Sequence, residues 1–381
     1  MKLIVNTEIL TPPLRGIGNY LFHLLQGLNS QATMGTVMCF NGSDRLLTID
    51  EVTDNLKVTS LNPEAIACRE SLCEAPREAI DARFRELTRP HTDALYLEPE
   101  CLFRPFEGRT VPIFYDLSPI QHPEFHRQAY CTMMQTYAPA CLERAAHVFT
   151  VSEFTRSEIT SAWGLPREMI TIIPPGVSPV FRPRQPEEVE VVRAKYNLPT
   201  HYLLTVGTLE PKKNQTNLIA AYSRLQESLR KDYPLVMVGA PGWGTERLQA
   251  VIRSYHHPEE LFYLGYVEED DLPFLYSGAY GFVYVSVYEG FGMCLLEAMA
   301  SGVPVLTSNQ SALPEMGNQT ALLTNPLNLN SLTANLERLI RDDDFRSNAR
   351  LMGPEKTRNY SWESSAREMA QILCRISETV S

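Results

Sequence analysis

The chain has 381 residues, with 34 Lys and Arg against 45 Asp and Glu and a net charge of −11; at roughly 100–200 residues per domain this length predicts two domains. The negative charge is shared, −6 over residues 1–180 and −5 over 181–381, which argues against nucleic-acid binding through a broad basic surface and disfavours purely electrostatic docking to anionic lipid. Apolar residues at 44% and charged residues at 21% are ordinary globular values and exclude a disordered chain.

Residues 2–6, in MKLIVNTEIL, predict a first strand, because Glu8 interrupts the apolar run too early for a secretory signal. A loop over 11–18 and a helix over 19–28 follow. Residues 110–115, 147–151 and 169–173 read as buried strands, and their alternation with helical stretches predicts a parallel sheet covered on both faces. Residues 174–186, PPGVSPVFRPRQP, hold five prolines in thirteen positions. Proline lacks a backbone donor and fixes φ, so this stretch predicts an interdomain linker. Domains are therefore expected over 1–178 and 179–360. Strand-like runs restart at 202–206, 235–238, 261–264, 281–285 and 303–307, a second doubly wound pattern. Residues 361–376 predict an amphipathic helix with Trp362, Ala366, Met369 and Ile372 at helical spacing.

No run approaches the ~18–20 apolar residues of a membrane span. The eight cysteines, Cys39, Cys68, Cys73, Cys101, Cys131, Cys141, Cys294 and Cys374, include no CxxC pair, so scattered thiols in a cytoplasmic protein are expected rather than a zinc site or disulfides.

Two doubly wound domains imply a cleft beyond the C-terminal ends of their strands. In Arg15-Gly16-Ile17-Gly18 the glycines suit close approach to a ligand ahead of a helix N-terminus, and suit a packing turn equally well. Leu21 stands where a dinucleotide fingerprint has its third glycine. The strand at 202–206 leads into Gly207-Thr208-Leu209-Glu210-Pro211-Lys212-Lys213-Asn214. Two of only seven lysines sit together there, which suits an anionic diphosphate, although most lysine pairs lie in solvated loops. The strand at 281–285 leads to Glu289, then Gly290-Phe291-Gly292, then a helix starting near Met293 that carries Glu297. Backbone N–H groups of Phe291, Gly292 and Met293 would form an anion site without a metal. Asp342-Asp343-Asp344 reads as a solvated helix end, not a metal motif.

At these residues the chain resembles the family-four retaining glycosyltransferases of the GT-B fold. EGFGMCLLEAMASGVPVL (289–306) resembles their E-x7-E region, and GTLEPKKN (207–214) their donor-phosphate loop. FYDLSPIQHPEF, VSEFTRSEI, PPGVSPVF, LGYVEEDDLPFLYSGA and Ser361-Trp362-Glu363 match in the family's order. The resemblance implies an α/β chain of two Rossmann-like domains facing across a cleft, with the terminal helix bracing the first.

It also implies roles. Lys212 and Lys213 would hold the donor diphosphate, with Gly16, Gly18 and the backbone of Phe291, Gly292 and Met293. Glu297 would take the ribose hydroxyls, Val267 would touch the base, and Glu289 would lie at the transferred sugar. Asp116 is a catalytic candidate or a strand-end cap. Tyr115 replaces the family's usual histidine before it, and His122 is a weaker candidate than a structural histidine. The expected reaction moves a hexose from a nucleotide-diphosphate sugar, with a lean toward GDP-mannose, to a glycan or lipid-linked acceptor hydroxyl in polysaccharide assembly. Retention and no metal or other cofactor are expected, and peripheral attachment to the inner face of the cytoplasmic membrane stays open. A nucleotide-sugar 2-epimerase of the same fold and an inactive sugar-nucleotide-binding scaffold are the alternatives.

Overall fold

The computed structural model describes residues 1–12, 14, 16–60, 76–99, 102–255 and 257–378. Arg15, Cys68, Cys73 and Cys101 lie outside them. The chain divides into two compact units: residues 1–121, 127–176 and 361–381, and residues 122–126 with 177–360.

The first unit carries a six-stranded sheet in the order β2-β1-β3-β4-β5-β6. Its strands are β1 (Lys2–Asn6), β2 (Thr36–Phe40), β3 (Leu95–Glu98), β4 (Arg109–Phe114), β5 (Val148–Thr150) and β6 (Ile170–Ile172). Every pairing is parallel. β2 and β3 add to the expected strands: TVMCF is only partly buried and LYLE ends on the charged Glu98, so neither reads as a continuous apolar run. The first helix, Gly16–Asn29, begins three residues earlier than expected. Gly16 and Gly18 therefore sit in its first turn rather than in a loop.

The terminal helix, Trp362–Glu378, lies against that first helix. Its apolar stripe supplies the contact: Ala366, Met369, Ala370 and Leu373 are buried. Trp362 stacks on His23 at 4.9 Å and meets Tyr20 edge-on at 5.7 Å. Ser365 Oγ donates to the Pro174 carbonyl at 2.6 Å, and Arg109 donates to the Ile376 carbonyl at 2.5 Å. Close approach of the two helices requires Gly27, where a Cβ would stand 2.5 Å from Ala366 Cβ.

The second unit carries the sheet β12-β11-β10-β7-β8-β9, with β7 (Leu203–Val206), β8 (Leu235–Val238), β9 (Leu261–Gly265), β10 (Gly281–Tyr284), β11 (Val305–Ser308) and β12 (Ala321–Thr324). All five pairings are parallel. β7, β8, β10 and β11 are buried along their whole length, as a sheet covered on both faces demands. Leu203, Leu235, Met237 and Val283 pack with the helices Gln215–Tyr222 and Leu329–Arg341. Phe282, one residue out of phase, meets Tyr276 at 5.3 Å on the opposite face. Among the described residues no helix is long and apolar enough to cross a membrane.

Gly27→Ala forces a methyl into the helix contact and is expected to cost about 1–3 kcal/mol, read by chemical denaturation. Adding Ala366→Gly to it should recover part of that loss; an unchanged midpoint in the single variant would contradict the packing.

Candidate active site

The order of the second sheet reverses between β7 and β10, and open α/β sheets bind ligands beyond the strand C-termini at such a point. The loops leaving these strands, 207–214 and 285–292, are joined directly. The Val287 N–H donates to the Lys212 carbonyl at 2.8 Å. Asn214, left-handed at φ 59°, sends Nδ2 to the carbonyls of Val285 at 3.1 Å and Pro326 at 2.8 Å. Asn214 thus fixes the loop that Lys212 and Lys213 ride on.

This scaffold brings Lys213 and Glu289 together. Lys213 Nζ donates to Glu289 Oε1 at 2.6 Å and to the Tyr284 hydroxyl at 2.7 Å; that hydroxyl donates to the same carboxylate oxygen at 2.9 Å. The pair is nearly enclosed, with side chains 15% and 9% exposed. Burial alone would neutralise both groups, but each holds the other charged: the Lys213 ammonium lies above its ordinary range and the Glu289 carboxyl below its own, with Lys212 adding to the pull on Glu289. The Glu289 main chain is fixed as well, its N–H donating to Ser311 Oγ at 3.0 Å and its carbonyl accepting from Ala312 at 3.2 Å.

Past Glu289 the chain turns at Gly292, with φ at 110°. A side chain there would be strained, and its Cβ would stand 2.7 Å from Leu313 Cδ2. The turn opens the helix Met293–Ala300. The first N–H groups of a helix have no intrahelical acceptors and carry the positive end of its dipole. Phe291 to Met293 therefore lie at the positive end of that helix, at the start of its first turn. One turn on, Glu297 accepts a hydrogen bond at 2.9 Å from the Tyr276 hydroxyl, which is fully buried. Burial pushes the Glu297 carboxyl up to about 7, against the lowering effect of that bond. Burial also pushes the neighbouring Cys294 thiol up to about 12, which keeps it protonated. Val267 is buried after β9, beside Tyr266, which is 56% exposed.

Gly16, Gly18 and Asp116 belong to the first unit, and His122 to the second. Gly16 is exposed and Gly18 buried in the first helical turn. Asp116 Oδ1 accepts from Ser118 N–H at 2.9 Å and Ser118 Oγ at 2.6 Å, so in this structure it caps the turn after β4. His122 stacks on Phe125 at 5.5 Å, meets Tyr288 at 5.2 Å and contacts Glu124 at 3.1 Å. Among the described residues, one trio of His, Cys or carboxylate side chains is grouped closely enough for a metal, His257, Glu259 and Glu260. It lies just before β9, and Glu260 there already accepts from Arg230 at 2.7 Å and Tyr255 at 3.2 Å. Asp342 caps a helix by accepting from Phe345 N–H at 2.9 Å. The sequence reading gave no role to Tyr284, Tyr276 or Ser311. Both tyrosines look like apolar core positions in sequence, and only their hydroxyl partners single them out.

Folding favours protonated Glu297, so its ionisation between pH 4.5 and about 7 weakens the fold. Glu297→Gln cannot ionise and is expected to raise the melting midpoint at pH 8 by roughly 2–4 °C while leaving it unchanged at pH 4. Equal shifts at both pH values would contradict the assignment.

The sequence model of the family "Glycosyl transferases group 1" matches residues 189–355. The chain is 33% identical over 369 residues to the O-antigen chain mannosyltransferase B of Escherichia coli, covering 96% of this chain and 97% of that one. It is 28% identical over 268 residues to the E. coli serotype-specific mannosyltransferase WbdA, covering 68% of this chain but 32% of that longer protein. Among solved structures it resembles Anabaena HepE in complex with UDP and glucose, with a TM-score of 0.74 at 16% identity over 98% of this chain and 99% of the other. Sucrose-phosphate synthase from Thermosynechococcus elongatus gives a TM-score of 0.72 at 19% identity over 98% of both chains. At these identities the structural likeness establishes the two-domain GT-B fold, and one-third identity along nearly the whole of both chains establishes the family: this chain belongs to the group 1 glycosyltransferases.

Proposed function

We propose that this glycosyltransferase moves mannose from GDP-mannose to a hydroxyl of a growing O-antigen or related glycan, with retention at the anomeric carbon and without a metal ion. The mannose and O-antigen parts rest on the E. coli relative with which it aligns almost end to end. A GDP-mannose-dependent mannosyltransferase of Mycobacterium tuberculosis, 28% identical over 237 residues, points the same way.

The observation that carries the chemistry is the Lys213–Glu289 pair beside the Met293–Ala300 helix N-terminus. As the bond from sugar to diphosphate breaks, negative charge grows on the leaving group. A fixed ammonium and aligned N–H groups stabilise such charge without reorganising, a task a divalent ion performs elsewhere. Two bonds to protein use two of the three Lys213 protons; the third is left for a phosphate oxygen. Lys212 supplies a second charge at the loop. Glu289 then faces the sugar, and Glu297, ionised above about pH 7, accepts from ribose hydroxyls. The diphosphate itself takes the acceptor proton on the face where the sugar leaves, which gives retention. Asp116, Gly16 and Gly18 belong to the unit that supplies the acceptor side, and the protein works in the cytoplasm at the glycan-assembling membrane.

The donor is tested by a thermal-shift series with GDP-, UDP- and ADP-sugars; the GDP compounds are expected to give the largest rise, and a larger rise with UDP-sugars would overturn the GDP assignment. Lys213→Ala is expected to lower transfer at least 100-fold. The wild-type rate should survive EDTA, and loss restored by Mg²⁺ would defeat the metal-free mechanism. Donor incubated without acceptor should not epimerise.

A further inference from the structure

We propose that Tyr284 is a positioning residue of the transfer reaction, its hydroxyl holding Glu289 in place while Lys213 turns from that carboxylate to the donor diphosphate. The inference rests on the proposed diphosphate role of Lys213, but no feature of the sequence reading assigned Tyr284 a part.

The hydroxyl stands between the two charged groups, 2.7 Å from Lys213 Nζ and 2.9 Å from Glu289 Oε1. A phenol has one proton to donate and lone pairs to accept with. Here it accepts from the ammonium and donates to the carboxylate. The ring cannot swing away, for Tyr284 is 4% exposed and stacks on Phe282 at 6.0 Å. It fills the gap between the two loops: a Cβ on Gly207 would lie 3.9 Å from Tyr284 Cε2, and one on Gly292 3.8 Å from Cε1. Its own carbonyl accepts from Thr307 Oγ1 at 2.7 Å, which anchors the end of β10. Burial and the Glu289 charge hold the phenol well above its ordinary range, so it stays a donor throughout the working pH.

The need for such a donor follows from the enclosure of Glu289. A buried carboxylate that loses its counter-ion is strongly destabilised unless another hydrogen bond reaches it. An arriving diphosphate competes with Glu289 for Lys213. The Tyr284 O–H keeps one bond on Oε1 as the ammonium leaves, so the carboxylate retains its aim at the sugar. Removing that bond misorients the reacting sugar more than it weakens nucleotide binding.

The test uses Tyr284→Phe in the full chain, with transfer kinetics, nucleoside-diphosphate calorimetry and a double-mutant cycle with Glu289→Gln. Turnover is expected to fall at least tenfold while nucleoside-diphosphate Kd stays within threefold. Glu289→Gln should cost much less in the Tyr284→Phe background than in the wild type. A second variant replaces the phenol by 3-fluorophenol, which keeps the ring and a stronger donor; it should transfer close to the wild-type rate. Turnover of Tyr284→Phe within twofold of wild type, losses that simply multiply in the cycle, or an equal loss in both ring variants overturns the inference alone. Nucleoside-diphosphate affinity left unchanged by Lys213→Ala overturns the diphosphate reading and this inference with it.

Discussion

The buried ion pair between Lys213 and Glu289 is the interaction on which the candidate site of the second unit depends. Enclosing two charges is costly, and losing one partner of such a pair typically costs about 3–5 kcal/mol. The pair therefore survives only where the backbone brings both groups to one place with a shared hydrogen-bond partner. Strand order does the first part: β7 and β10 are neighbours in space although about 75 residues separate them in sequence, and their loops leave the same sheet end. The Val287–Lys212 backbone bond and the reach of Asn214 to Val285 do the rest.

Around that pair, rigidity and openness are divided between different atoms. The side chains of Tyr284 and Tyr276 are fully enclosed and tie down Glu289 and Glu297. At the turn, Gly292 is the residue that fits: a Cβ there would stand 2.7 Å from Leu313 Cδ2, and the helix that follows begins with N–H groups that have no intrahelical acceptors. The two carboxyls consequently differ, though they share a helix-turn segment. Glu289 has a cation within bonding distance and stays ionised; Glu297 accepts from a phenol and is pushed up to about 7. Proximity to Lys213, more than depth of burial, separates them.

The first unit solves a different problem. Its first and last helices are more than 330 residues apart in sequence, and they pack through Gly27 on Ala366 with Trp362 laid over His23. A long-range contact of this kind makes the unit's stability conditional on the end of the chain.

Much of this was legible in the residues. Continuous apolar strands, the proline-rich stretch at 174–186 and the glycine turn between two glutamates each carry a local physical signature, because a buried parallel strand, a stretch that can be neither helix nor central strand and a turn at positive φ constrain their own residues. Strands β2 and β12 did not, since they are only partly buried and lack a continuous apolar run, and β3 ends on the charged Glu98; the first helix starts three residues before the expected point because glycines there signal a loop as readily as a helical turn. The sequence by itself determined the family, the two α/β units and the residue types at the site. Only the tertiary structure decided that Tyr284 joins Lys213 to Glu289, that Tyr276 attends Glu297, and that Asp116 caps its own turn, because hydrogen bonds between residues far apart in the chain depend on side-chain direction, which spacing along a sequence does not encode.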